Sequence, residues 1–413
     1  MKATQLSAID SSETAEPIKG SAWEVLLAFF RLGLTSFGGP VAHLGYFRQE
    51  FVVKRRWIDE SGYADIVALC QFLPGPASSQ VGFALGLRRA GGWGGLAAWT
   101  GFTLPSAIAL IAFAYAASLF DGPVGAAILH GLKLVAVAVV AQAVWGMAKS
   151  LCPDRTRGTI GILAAILVLM VGGAVGQIAA IALGGAAGLA LLSNLKSPEA
   201  GHLAFPISRR VGMVALGLFA VLLFGLPLLA SIGSGGVGLA LFDGFYRSGA
   251  LVFGGGHVVL PLLQEQVVPH FIGADAFLAG YGAAQAVPGP LFTFAAYLGA
   301  VIGTTTIGPV AAAICLVGIF LPGLLLVVGA MPFWEQFRTL PKGRAIMAGA
   351  NAAVVGILGA AFYNPVWTSA VVGPIDVAVA LGGFTLLVLW KVPPTLVVFI
   401  VLLASILAGL VLG

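Results

Sequence analysis

Charge is what this sequence has least of. Asp, Glu, Lys and Arg make up 9% of its 413 residues, where a typical soluble domain carries about 25%. With 59% hydrophobic residues, a mean hydropathy of +1.02 and repeated apolar runs of roughly 18–25 residues, a soluble fold is excluded. The chain reads as an all-α polytopic membrane protein. Cysteine is also scarce: Cys70, Cys152 and Cys315 lie in or beside apolar segments with no CxxC or metal spacing, so they read as small packing residues. HExxH, DxxD, GxSxG and any central Ser/His/Asp grouping are missing, which argues against an enzyme and gives no cofactor or metal to expect. The polar N-terminal tail, 1–21, lacks the basic-then-apolar order of a cleavable signal and reads as a disordered cytoplasmic tail. The net charge of +5 comes mostly from loop lysines and arginines, as the positive-inside rule expects, and does not imply nucleic acid.

What the chain does have is a duplicated pattern. RLGLTSFGG at 31–39 aligns with RSGALVFGG at 247–255, and Gln71 with Pro74-Gly75-Pro76 aligns with Gln285 and Pro288-Gly289-Pro290. Leu104-Pro105 aligns with Leu321-Pro322, and Gly131 with Lys133 falls on Gly349 with Asn351. The offsets are 216, 214, 217 and 218, so four landmarks keep their order with small drifts. The organisation expected is a tail (1–21), a first repeat (22–195), a linker with one spanning helix (196–237) and a second repeat (238–413). The first repeat holds segments near 23–53, 64–88, 94–119, 124–149, 159–176 and 177–194. The second holds segments near 238–268, 275–303, 307–331, 345–366, 372–390 and 393–412, with one linking span near 211–231. An odd number of linking spans inverts the second repeat relative to the first, the plan of many secondary transporters.

Charge then separates straight from re-entrant segments. If every segment spanned, Arg48, Lys54, Arg55 and Arg56 would form the one basic loop on the outer side. If 23–53 and 64–88 each dip in and return, that loop and Arg88-Arg89 move inside. The inverted hairpins of the second repeat then expose only 269–275 and 303–306 outside, and neither stretch holds a lysine or arginine. Residues 64–74 as a helix rise about 16 Å, half of a hydrocarbon core of about 30 Å. Re-entrant segments broken at mid-depth are therefore expected, with kinked spanning helices as the alternative. Broken backbone at that depth must be buried in protein or line a cavity.

A helix restarting after a break presents free N–H groups and a positive dipole end, which favours an anion. The candidates at such starts are Gly38, Gly39 and Pro40; Gly75, Pro76, Ser78, Ser79 and Gln80; Gly254 and Gly255; Gly289, Pro290 and Thr293. Arg31, Arg247 and Lys133 lie inside apolar segments, where a charge is costly unless paired or hydrated. Glu24, Asp65, Asp243 and Asp376 fall near segment ends, so the three cations point to a ligand that brings negative charge. Snorkelling or bonding to broken-helix carbonyls is the structural alternative for the arginines, and Asp121 or a lipid headgroup for Lys133. His43 and His257 sit just past breaks and are either proton-coupling groups or hydrogen-bonded packing residues. Lys54-Arg55-Arg56-Trp57 reads as an interface anchor.

Phe37-Gly38-Gly39-Pro40, Arg55-Arg56-Trp57-Ile58-Asp59, Gln71 through Pro76 and Ser79-Gln80 resemble the chromate ion transporter family. Phe253-Gly254-Gly255, Pro288-Gly289-Pro290 and Thr293-Phe294 resemble its C-terminal repeat, so the likeness covers about 22–412, as in a long, two-repeat member. The resemblance implies a multi-pass carrier of the inner membrane, N-terminus cytoplasmic, that exports chromate and confers resistance. It implies a tetrahedral oxyanion as partner, with sulfate the natural analogue, and proton-motive force as the drive. The expected mechanism is alternating access, one repeat moving against the other, with a proton or counter-anion coupled to efflux; an anion channel is the alternative. A homodimer is left open. Gly256 opposite Pro40 and Asn351 opposite Lys133 imply that the repeats contribute unequally.

Overall fold

A computed structural model describes residues 20–116, 122–192, 207–231, 236–253, 256–268, 270–303, 308–334, 336 and 340–412. The protein is helical, and five of its helices are long and apolar enough to cross a membrane. Helix α1 (Ala22–Thr35) begins under a Ser21 cap, whose Oγ accepts from Glu24 N at 3.1 Å, and stops at the first break. Gly38 and Gly39, with φ of +99° and +78°, adopt a left-handed conformation open to glycine, and Pro40 starts α2 (Gly39–Phe47). Helix α3 (Glu60–Phe72), capped by Asp59, ends at Pro74-Gly75-Pro76, where Gly75 has φ +122°. Helix α4 (Ala77–Ala116) is two arms, because Ala90 and Gly91 between them are not helical.

These pieces form two hairpins entering from one face. Phe29 on α1 stacks on Phe51 (4.7 Å between centroids) and meets Phe47 edge-on (5.4 Å), so the chain after the first break runs back along α1. At the open end, Arg48 pairs with Glu60 (2.6 Å) and Arg89 with Glu24 (3.1 Å). Arg55 and Arg89 lie over the Trp57 ring at 5.5 and 5.1 Å. Residues 20–24, 48–60 and 89 therefore share one basic face, the arrangement expected of re-entrant segments. From there the second arm of α4 runs parallel to α1 across the molecule, and Gly33 and Gly101 let the two backbones touch.

The second repeat repeats this from the other side. Helix α9 (Gly236–Ala250) is followed by a short 3-10 turn (Gly256–Val258) and α10 (Val259–Val267), which returns along it: Ser248 Oγ donates to Leu262 O at 3.4 Å. Helix α11 (Ala274–Ala284) and α12 (Phe294–Ile302) flank the second Pro-Gly-Pro, with Phe277 on Phe294 at 5.2 Å and Tyr297 Oη donating to Ala276 O at 2.9 Å. Tyr115, at the far end of α4, meets Gly308 at the start of α13 (Gly308–Ala330), so these hairpins open on the face opposite the basic one.

The four breaks meet in a cross-repeat knot. Gly75 N donates to Val252 O at 2.7 Å, and Gly289 N donates to Ser36 O at 2.9 Å. These are the same bond made twice, since Gly289 answers to Gly75 and Val252 to Ser36 at offsets of 214 and 216. A Cβ on Gly75 would lie 3.0 Å from Gly323 Cα, and one on Gly289 would lie 2.7 Å from Ser106 Oγ, again equivalent contacts. Pro40 and Gly256 face each other between them.

The remaining helices exchange partners. Helix α5 (Gly122–Leu151) of the first repeat packs on α15 (Pro374–Val388) and α16 (Pro394–Leu412) of the second, with Ser405 Oγ donating to Ala127 O at 3.0 Å. Helix α14 (Pro341–Ala361) packs on α6 (Arg155–Val171) and α7 (Gly173–Leu191) of the first. A repeat is thus a unit of sequence but not of packing, and the expectation of one repeat moving against the other meets a physical obstacle in this exchange. Helix α8 (Arg209–Ser231) is the linking span.

Candidate functional site

Beside the knot lies a cavity of about 300 Å³. Its walls are Gly38, Gly39 and Pro40 at the start of α2, Gly256 and His257, and Ala284, Gln285, Val287, Gly289 and Leu291 around the second Pro-Gly-Pro. Val139, Gln142, Ala143 and Gly146 come from one face of α5, at the i, i+3, i+4, i+7 stride of a helix, and Pro394 closes the set. Gly146 lies near the basic-face end of α5, so the cavity extends from the knot toward that face.

No Asp, Glu, Lys or Arg is among these lining residues. The polar groups are the carboxamides of Gln142 and Gln285, the imidazole of His257 and the start of α2. That start carries no side-chain cap, and a Cβ at Gly39 would meet nothing within 4 Å, so its amides border open space. Helix N-termini of this kind attract anions through free N–H groups and the macrodipole. Gln285 Nε2 is buried with no hydrogen-bond partner. Such an orphaned donor is costly unless something in the site accepts from it. By contrast, a cavity of about 480 Å³ nearer the other face includes Asp376, whose Oδ1 pairs with His130 Nε2 at 2.8 Å. A carboxylate there opposes an anionic ligand.

Five residues singled out in the sequence line the first cavity: Gly38, Gly39, Pro40, His257 and Gly289. Others sit in the knot instead. Gln80 Nε2 donates to Pro74 O (2.9 Å) and Gly323 O (3.0 Å), tying the first Pro-Gly-Pro to α13. Ser78 Oγ lies 3.3 Å from His43 Nδ1, and Ser79 is buried with its Oγ unpaired. Thr293 Oγ1 donates back to Pro290 O at 2.7 Å. Gly75 and Pro76 pack against Gly323. His43 is fully buried, and its Nε2 lies 3.2 Å from Ser36 O. A carbonyl only accepts, so Nε2 carries the proton and Nδ1 accepts from Ser78. Gly254 and Gly255 lie outside the described residues.

The three cations are elsewhere. Arg247 binds Asp243 through two bonds, Nε–Oδ1 at 3.0 Å and Nη2–Oδ2 at 2.7 Å. Lys133 Nζ reaches Asp275 Oδ1 (2.9 Å) and Ser369 O (3.3 Å). Arg31 is exposed and makes no ion pair with a described residue. The structure thus supplies partners that reading segment ends did not, and Arg247 shows why: Asp243 stands four residues earlier on the same helix face.

Gln142 and Gln285 are the residues missed. Gln285 is a repeat landmark opposite Gln71, and Gln142 is the one carboxamide in the apolar run of α5. Gln142, a polar side chain inside an apolar run and away from any break, is itself a signal, because it is tolerated only facing protein or a cavity.

The profile of the family described as "Chromate transporter" matches residues 23–189 and 239–410, one stretch in each repeat. The "Chromate transport protein" of Pseudomonas aeruginosa is 29% identical over 97% of this chain and 95% of its own. A "Probable chromate transport protein" of Synechococcus elongatus is 27% identical over 81% of both chains. The "Chromate transport protein" of Cupriavidus metallidurans is 27% identical over 81% of this chain and 80% of its own. No solved structure matches the chain.

Proposed function

The chain belongs to the chromate transporter family, and from that membership and the cavity beside the knot we propose that it carries chromate, with sulfate as the natural analogue, out of the cell. It is a membrane transporter and not an enzyme. The observation that carries the reading is the cavity itself: a carboxylate-free chamber bordered by an uncapped helix start and two carboxamides. A tetrahedral dianion offers acceptor oxygens in every direction, which suits convergent N–H donors on three elements. The amides of α2 supply the field, Gln142 and Gln285 supply directed donors, and His257 is the coupling candidate.

The lysines and arginines of the basic face support a cytoplasmic location for it, and on that reading the cavity opens inward. Export then has an electrical drive. Moving one charge through a potential of 100 mV is worth about 2.3 kcal/mol, so a dianion leaving a negative interior gains about 4.6 kcal/mol. At about 1.4 kcal/mol per tenfold, that supports a gradient of roughly three orders of magnitude without a coupled proton. Access alternates by movement of the exchanged bundles, α5–α15–α16 and α6–α7–α14, past the hairpins. His43 and the Ser78-Ser79-Gln80 start hold the knot, while Arg247 pairs with Asp243 within α9 and Lys133 ties α5 to Asp275 at the start of α11.

Uptake of labelled chromate into inverted membrane vesicles tests this. Saturable uptake, competed by sulfate, raised by an inside-positive potential and showing counterflow, is expected. Uptake that neither saturates nor shows counterflow would favour a channel, and uptake indifferent to both sulfate and potential would contradict the reading.

A further inference from the structure

His257 is the titratable side chain among the residues lining the cavity, and its outer nitrogen has no hydrogen-bond partner among the described residues. Its inner nitrogen does. Nδ1 lies 2.7 Å from the hydroxyl of Tyr281, a fully buried residue of α11 whose ring is held edge-on by Phe294 at 5.7 Å. Which group donates decides what the cavity meets. If Nδ1 donated, the phenol proton would be left without an acceptor at hydrogen-bond distance among the described residues, and the Nε2 lone pair would face the chamber. An orphaned buried donor is costly, and a lone pair aimed at an anion repels it. If the phenol donates instead, both groups are satisfied and the remaining N–H points outward.

The pair is also one-sided. The first-repeat positions equivalent to His257 and Tyr281, at offsets of 216 and 214, are Val41 and Val67. At these two equivalent positions the imidazole–phenol pair belongs to the second repeat alone.

We propose that Tyr281 is a positioning residue: by donating its O–H to His257 Nδ1, it fixes the tautomer that presents Nε2–H to a bound tetrahedral oxyanion. This rests on the reading of the cavity as the oxyanion site. The second sphere of the site then sets the polarity of the first, as a hydrogen bond to one ring nitrogen decides which proton the other carries.

The test uses the full-length protein in lipid nanodiscs with ¹⁵N-labelled histidine, the His257 resonances being assigned by His257→Gln. In the wild type, Nε2 should report as protonated and Nδ1 as a hydrogen-bonded acceptor. Tyr281→Phe keeps the ring and its packing. It should abolish the acceptor signature and raise KM for chromate about tenfold, the usual scale of one lost charge-assisted hydrogen bond, with maximal velocity within about twofold. His257→Gln should raise KM as well, and adding Tyr281→Phe to it should change nothing further, since the tyrosine acts through the histidine. A wild-type Nδ1–H tautomer, an unchanged KM in Tyr281→Phe, or additive effects in the double variant would each overturn the proposal. Wild-type protein that binds neither chromate nor sulfate would instead bring down the site reading and the proposal together. A Tyr281→Phe variant with a lowered melting temperature but wild-type KM and tautomer would mark the tyrosine as structural and overturn it too.

Discussion

At the break of the first repeat, Ser36, His43, Ser78, Gln80 and Thr103 are all buried. In the second repeat the equivalent positions, at offsets of 216, 216, 214, 214 and 217, hold Val252, Val259, Phe292, Phe294 and Phe320, and these are buried as well. The backbone contacts are the same in both, down to the paired Gly75–Val252 and Gly289–Ser36 bonds. One crossing is therefore filled by hydroxyls, an imidazole and a carboxamide, with His43 bonded to Ser78 and Ser36 O and Gln80 bonded to Pro74 O and Gly323 O. The other is filled by rings, Phe292 on Phe320 at 5.7 Å among them. Ser36 Oγ, Ser79 Oγ, Gln80 Oε1 and Thr103 Oγ1 remain unpaired in the polar crossing. The difference teaches that the duplicated backbone builds the knot, while divergence of the side chains decides on which side of it a chamber opens. Val139 and Gln142 of α5 line that chamber, and their counterparts on α14 are Ile357 and Ala360.

The comparison can be broken at the glycines first. Gly289→Ala and Gly75→Ala each force a left-handed residue, about 1–2 kcal/mol, and drive a methyl into Ser106 or into Gln80 and Gly323. Both variants should lose transport and melt at lower temperature in detergent. A silent Gly75→Ala beside a lethal Gly289→Ala would show that the two crossings are not mechanically equivalent. Next in size is Arg247→Gln, which leaves Asp243 buried and unpaired at a cost of about 3 kcal/mol; adding Asp243→Asn should restore most of the lost thermal stability. Thermal melts of the two single variants and the double variant measure this. His43→Val, which copies the second repeat into the first, removes two buried bonds and should cost about 2 kcal/mol of stability while leaving KM within about twofold. Gln285→Leu should do the reverse, raising KM about tenfold with stability kept, because it removes a donor that lacks a protein partner. Smallest is Arg31→Gln: an exposed residue away from the cavity should change flux by less than about twofold.

Much of this was legible in the chain. Glycine and proline at 37–40, 74–76 and 288–290 named the breaks, because left-handed backbone and missing amide donors leave a chemical trace in the sequence. The re-entrant course of the first hairpins was legible from Arg48, Lys54, Arg55 and Arg56, which had no acceptable place on the other side. The exchange of α5 and α14 between repeats was not, since long-range contact leaves no mark in a single sequence. The Lys133–Asp275 pair was hidden for the same reason. Arg247 and Asp243 were in plain view at helical spacing, and placing the acid at a segment end concealed the pair. Gln142 was hidden by being neutral: the search for an anion site followed charge, whereas the cavity is lined by uncharged donors.

The central claim is that the oxyanion rests beside the knot against neutral donors, not against Arg31 or Arg247. Chromium scatters anomalously, so crystals of the protein grown with chromate locate the ion directly. The account predicts one strong chromium peak between Gly39, Gln142, His257 and Gln285. A peak beside Arg31 or Arg247, with that cavity empty, would contradict it.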